Sequence, residues 1–274
     1  TSLLRAGVYS IGMDVATRIG FGRASSPQSR QRPQNPLMNS YRAADGGWFW
    51  LVGAESQRHW PGVAAALGCP ELVDDPRFDA VWAVCAKYGI PVLIHTADPW
   101  GLFQPMDKNN ERWLELKIQT RRNQSGQTNY TWEQLIAEQH NLFTRHPQTT
   151  FINAHMGWLA NNLDRLAELL DRLPNVYVEI GAITSDLGRQ PRAAKRFFTK
   201  YQDRVLFGKD AYNVVEYHTY FRLLETDDEY FDPIRKYHGI WKLYGLDLSD
   251  DVLKKLYYKN ALRIFPGLSS AGFP

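Results

Sequence analysis

The 274 residues, 44% of them apolar, leave room for one or two domains, and a single barrel of ~250 residues would nominally fit. The formal net charge of +3, with a pI near 8.7 and 22% charged residues, is too mild to argue for nucleic-acid binding. No stretch of ~18 uninterrupted apolar residues and no charged-then-apolar leader is present, so the expectation is a soluble, cytoplasmic protein with no membrane contact.

The chain opens at Thr1 without an initiator Met and within an amphipathic pattern, which reads as the start of a fragment. Residues 3–21 carry apolar positions at helical spacing, with Gly20 and Gly22 at the expected stop. The Ser-, Gln-, Arg- and Pro-rich stretch over 22–36 is a predicted loop, its Arg23, Arg30 and Arg32 solvated. Asp45-Gly46-Gly47, between Tyr41 and the apolar run at 48–52, signals a hairpin, and Ser56 is a candidate cap for the helix that follows. Cys69 and Cys85 lack metal or redox spacing and fit apolar packing in a reducing compartment.

From Asp79 the rhythm becomes helix, strand, helix, strand. Three apolar strands end in groups that bind metal or move protons: PVLIH at 91–95, TFINAH at 150–155 and RVLFGKD at 204–210. A fourth, VYVEI, lies at 176–180. The spacing of about 26 and about 28 residues between the later strands matches the repeat of a parallel barrel, whose active site gathers the carboxyl ends of its strands. His95, His155 and Asp210 are therefore expected to converge, because imidazole nitrogen and carboxylate oxygen are the ligands a divalent ion such as zinc takes. Glu179 alternates with apolar residues and is expected to face the barrel interior, and Asp98 follows closely on His95. The long excursion after His95 offers Asn109, Glu111, Arg112 and Trp113 as residues that could meet a substrate. His140, His146, His218 and His238 fall in helical or loop contexts and read as surface or packing residues.

Residues 1 to about 78 resemble the middle of a family III CoA-transferase, on TSLLRAGVYSIGMDVATRIGFGR, NPLMNSYRAADGGWFWLVGAESQRHWPGVAAALG and DDPRF. That family's catalytic Asp lies upstream of this region, so the resemblance assigns no catalytic residue here. Residues 79–265 resemble the amidohydrolase-related metal-dependent hydrolases, relatives of aminocarboxymuconate semialdehyde decarboxylase, on GIPVLIHTADP, FINAHMGW, VYVEIGA, RVLFGKDAY and YYKNALRIF. The resemblance implies the carboxyl-terminal half of a TIM-type barrel, strands five to eight, preceded by a small α/β fragment. It implies His95 and Asp210 as metal ligands and His155, with Asp210, as the acid/base machinery; Glu179, Asp98 and Trp158 are expected in the substrate pocket.

The family also uses an HxH pair at the end of its first strand, and none of the seven histidines here is separated from another by one residue. Two protein ligands are fewer than the three that catalytic zinc sites use, so the chain is expected to hold its metal weakly. The expectation is a chimeric or truncated chain joined near Phe78, by descent a metal-dependent hydrolase or decarboxylase of a small organic acid, amide or ester. The alternatives are a CoA-transferase-related protein or an inactive fragment whose partner supplies the missing strands. Open strand edges predict a homo-oligomer.

Overall fold

A computed structural model describes residues 38–52, 56–70, 79–126 and 130–273, together with Arg18, Gly22, Arg30 and Gln31. Apart from those single positions, the helix expected over 3–21 and the loop over 22–36 lie outside the described residues. The chain divides into two compact units, Thr1–Asp75 and Pro76–Pro274. Among the described residues no helix is long and apolar enough to cross a membrane.

In the first unit, β1 (Met38–Arg42) and β2 (Trp48–Val52) pair antiparallel, with Arg42 opposite Trp48 and Met38 opposite Val52. The connecting turn works as its residues predict. Gly46 adopts φ +87°, a conformation that disfavours any side chain with a Cβ, and the Asp45 carboxylate accepts from the Gly47 N–H at 2.8 Å. The helix that follows spans Ser56–Ala66, so Ser56 is its first residue and not the residue before it. Helix starts are set by one hydrogen bond, and pattern alone places them to within a residue or two.

The second unit is built on a four-stranded parallel sheet in the order β3 (Val92–Ile94), β4 (Phe151–Asn153), β5 (Val176–Glu179), β6 (Val205–Leu206). Neighbours in sequence are neighbours in the sheet, the commonest arrangement of successive βαβ units. The registers Leu93 with Ile152, Ile152 with Tyr177 and Val178 with Val205 keep the strand ends level.

The connecting helices carry the core. Leu163–Arg172 buries Leu163, Leu166, Leu169 and Leu170 on one stripe, and Asn162 caps it by accepting from the Arg165 N–H. At about 2 kcal/mol per fully buried leucine, that stripe is a main anchor of the fold. Trp132–Arg145 begins with a capping box, in which Thr131 and Gln134 each accept the other's backbone N–H. The two sheet edges differ. Beyond β6, the Phe207 N–H donates to the Leu256 carbonyl in the closing helical segment. On the β3 side, the helix Asp79–Lys87 buries no residue, and Leu93 in the strand itself is 63% exposed.

Two half-buried histidines make the fold sensitive to acid. Burial holds His140 and His238 neutral down to about 4, against an ordinary value of 6.5. Between those limits the unfolded chain binds more protons than the folded one, so stability is complete above 6.5 and is lost as pH falls toward 4. Each should contribute roughly 1–2 kcal/mol after discounting for partial solvent access. Burial raises the Asp186 carboxyl, which acts in the opposite sense, favouring the fold below its folded value and opposing it as pH rises through that value. Urea unfolding at pH 7 and pH 5 should show the loss, and the H140Q/H238Q variant should flatten it. Equal wild-type stability at the two pH values would refute the assignment.

Candidate functional site

Each of the first three strands of the parallel sheet runs out into left-handed backbone. Ala97 follows β3 at φ +62°, His155, Met156, Gly157 and Trp158 follow β4 at +52° to +61°, and Ala182 follows β5 at +57°. For residues with a Cβ this conformation costs about 1–2 kcal/mol each, and such strain concentrates where side chains must be aimed. Here it turns His155 and Trp158 toward one another, with ring centroids 4.4 Å apart. Gly157 is obligatory in this turn, because a Cβ there would lie 2.3 Å from the Asn153 amide nitrogen.

The sheet brings the three strand-end groups together. The His95 and His155 rings meet edge to face at 4.9 Å, and His155 Nε2 lies 3.6 Å from Asp210 Oδ1. His155 is buried, whereas the Asp210 side chain is 61% exposed. His155 Nδ1 lies 2.8 Å from the Gly181 carbonyl oxygen, which can only accept. That contact fixes Nδ1 as the protonated nitrogen and leaves the Nε2 lone pair facing Asp210.

Glu179 lines up behind His155. Its buried carboxylate accepts from the backbone N–H groups of both His155 and Gly181, tying the turn after β4 to the turn after β5. Two glycines make the room: a Cβ on Gly208 would lie 2.0 Å from Glu179 Oε2, and one on Gly181 would lie 2.9 Å from the same atom and 3.2 Å from His155 Nδ1. Tyr220, on the helix Val214–Glu225, accepts from the Ala182 N–H at 3.0 Å, and burial raises its phenol well above the ordinary range.

Trp158 donates from its indole N–H to the Ala97 carbonyl and contacts His95 at 6.0 Å. It also lines a small cleft with Trp100, Glu111, Arg112, Asn161 and Asp186. Asp98 points into the excursion, where Gln124 donates to it at 2.7 Å and Arg122 pairs with it at 3.6 Å. Of the four excursion residues proposed from sequence, Glu111 and Arg112 reach the cleft; Asn109 and Trp113 are exposed.

Pattern reading missed the buried ion network beneath this cleft. Arg112, 3% exposed, pairs with Glu115 at 3.1 Å and with Asp186 at 3.4 Å. Arg189 joins Asp186 to Glu111, and Arg122 joins Glu115 to Asp98. Locally the sequence offered only Glu111, Arg112 and Glu115 close together among apolar residues, with nothing to tie them to Asp186.

Among the described residues no cluster of three or more His, Cys, Asp or Glu is placed to hold a metal ion, whereas a catalytic zinc takes three protein ligands.

A CoA-transferase family III model matches residues 1–97 and an amidohydrolase model matches residues 51–267, so the two overlap over 51–97 instead of meeting at one point. No curated protein matches the chain significantly. A solved structure, the uncharacterized TIM-barrel protein Bb4693 from Bordetella bronchiseptica, is similar at 16% identity and a TM-score of 0.34, over 70% of this chain and 50% of that one. The chain thus spans half the length of that protein. With the amidohydrolase model covering well over half of its residues, including all four strands of the parallel sheet, the chain belongs to the amidohydrolase family, whose members typically bind a divalent metal.

Proposed function

We propose that this chain carries the proton-transfer half of an amidohydrolase-type site, for hydrolysis or non-oxidative decarboxylation of a small organic acid, amide or ester. The observation that carries the reading is the locked tautomer of His155. A histidine pinned through Nδ1 to a carbonyl presents one nitrogen, Nε2, to a reacting group, and it is reset for each turnover by the same contact. When Nε2 takes a proton, the new N–H faces Asp210, and the carboxylate stabilises the imidazolium at 3.6 Å. Glu179 acts behind the ring by holding the His155 backbone, and Trp158 covers one face of the imidazole.

The family's divalent metal, in this reading zinc, would find His95 and Asp210 here, but these do not make a self-contained site. Completion needs donors from outside the described residues. The amino-terminal segment, matched by the CoA-transferase model, is in this reading a non-catalytic fragment of separate origin.

Two experiments test the proposal. Across a panel of small carboxylates, cyclic amides and esters supplied with zinc, H155Q should lower any turnover by about 10²-fold or more, the contribution expected of a positioned acid/base. Turnover unchanged in H155Q would end the assignment. Separately, metal analysis after dialysis against buffer should show well under one bound equivalent. One tightly held equivalent, lost in H95A, would show that the site is complete.

A further inference from the structure

Asp210 stands 3.6 Å from His155 Nε2, yet residues 207–213, between β6 and the helix Val214–Glu225, form neither strand nor helix, and residues 210–215 are all exposed. A carboxylate on such a segment needs support, since a misplacement of about 1 Å can cost on the order of 10²-fold in rate. Lys209, the residue before it, is buried against this trend. Its side chain is 6% exposed, and its ammonium donates to two acceptors, the Ala211 carbonyl at 2.8 Å and the Glu216 carboxylate in the first turn of that helix. The bond to Ala211 closes a ring around Asp210, from the side chain of the residue before it to the carbonyl of the residue after it. The bond to Glu216 ties that ring to the helix, whose start Asn213 caps by accepting from the Val215 N–H. A buried ammonium must be paired, and Glu216 alone supplies a charge partner. The contact with Ala211 is the one that a plain buried ion pair does not require.

We propose that Lys209 is a positioning residue of the candidate site, its ammonium clamping the backbone on both sides of Asp210 so that the Asp210 carboxylate stays opposite His155 Nε2. The assignment rests on the functional reading above, in which that carboxylate stabilises the imidazolium. Lys209 acts through Asp210 and not on a substrate, because its ammonium is buried and engaged with Ala211 and Glu216. The clamp is itself held from two further sides. The Tyr217 ring lies 5.8 Å from the ammonium, and the Arg235 guanidinium lies 3.8 Å from the second oxygen of Glu216. Methionine at 209 would keep the apolar stem and lose both bonds, while Arg235 would leave Glu216 with a charge partner.

The test reads the His155 ring directly and needs no substrate, so it can fail while the H155Q turnover result stands, and the reverse. Full-length protein labelled with ¹⁵N-histidine is compared at one fixed pH as wild type, K209M, D210N and K209M/D210N, with the His155 signals assigned by their loss in H155Q. K209M should move the Nε2 resonance in the same direction as D210N. In the D210N background it should add no further shift, because a residue that works through the Asp210 carboxylate has nothing to act on once that charge is gone. An ion pair with a merely structural role would not show this coupling. Two results overturn the assignment: an unmoved Nε2 resonance in folded K209M, or an equal shift with and without the Asp210 carboxylate. Should K209M fail to fold, K209M/E216L serves in its place, since removing both charges strands neither. Loss of fold in that variant too would mean that the pair holds the whole unit and not one loop, and the assignment would fall.

Discussion

Replacing Arg112 with Met should destabilise the second unit by ~3–5 kcal/mol, the cost of removing one member of a buried ion network. Glu115 is fully buried and Asp186 nearly so, and Arg112 contacts both. Methionine fills much of the volume but leaves two carboxylates facing an apolar side chain. Glu115 keeps Arg122 and Asp186 keeps Arg189, which should hold the loss toward the lower end of that range. The network also spans long sequence distances, joining the excursion to the helix Thr184–Gly188, so its loss should release residues 98–126. Urea unfolding and amide hydrogen exchange would read the two effects. A companion variant, R112M/E115M/D186L, should recover much of the stability, because a fully apolar replacement of a buried charge cluster removes the desolvation cost together with the pairing. Stability of R112M within about 0.5 kcal/mol of wild type would show that the network carries nothing, since exposed pairs contribute at that level.

How far the sequence reached depended on how local each feature was. The four parallel strands were legible because short β-branched and apolar runs stop at His95, His155 and Asp210, and the hairpin because Asp45-Gly46-Gly47 states its own turn chemistry. The convergence of those three groups follows from parallel register, which is a property of the whole sheet yet needs only strand ends to be known. What stayed hidden depends on pairs far apart in the chain. Arg112 meets Asp186 across 74 residues and Arg189 meets Glu111 across 78, and no periodicity links them. Glu179 was expected to face inward, but its use as an acceptor for two backbone N–H groups could be known only once the two turns were side by side. The left-handed run at 155–158 was equally hidden, since three of its four residues are not glycine.

Gly208 offers the cleanest test of how the site is held together. Alanine at this position should cost ~3–5 kcal/mol, combining an overpacking term of about 1–3 kcal/mol with the loss of a carboxylate that satisfies two buried N–H groups. The added Cβ would lie 2.0 Å from Glu179 Oε2, 2.8 Å from its Cδ and 3.1 Å from its Cβ, so rotating the carboxylate tip does not relieve the contact. If the side chain swings away, the His155 and Gly181 N–H groups lose their acceptor and the Nδ1 contact that fixes the His155 tautomer loses its support. The prediction is specific to one pair and can be tested as such. In an E179A background, where nothing occupies that space, G208A should cost at most about 0.5 kcal/mol, giving a coupling energy of several kcal/mol between two residues that never form a hydrogen bond with each other. The same double-mutant cycle should be visible in the ¹⁵N shifts of the His155 ring, with the Nδ1–H form lost in both single variants. Equal penalties for G208A with and without Glu179 would mean that the strain arises in the backbone at 208 itself, and that Glu179 is not the strut that aims His155.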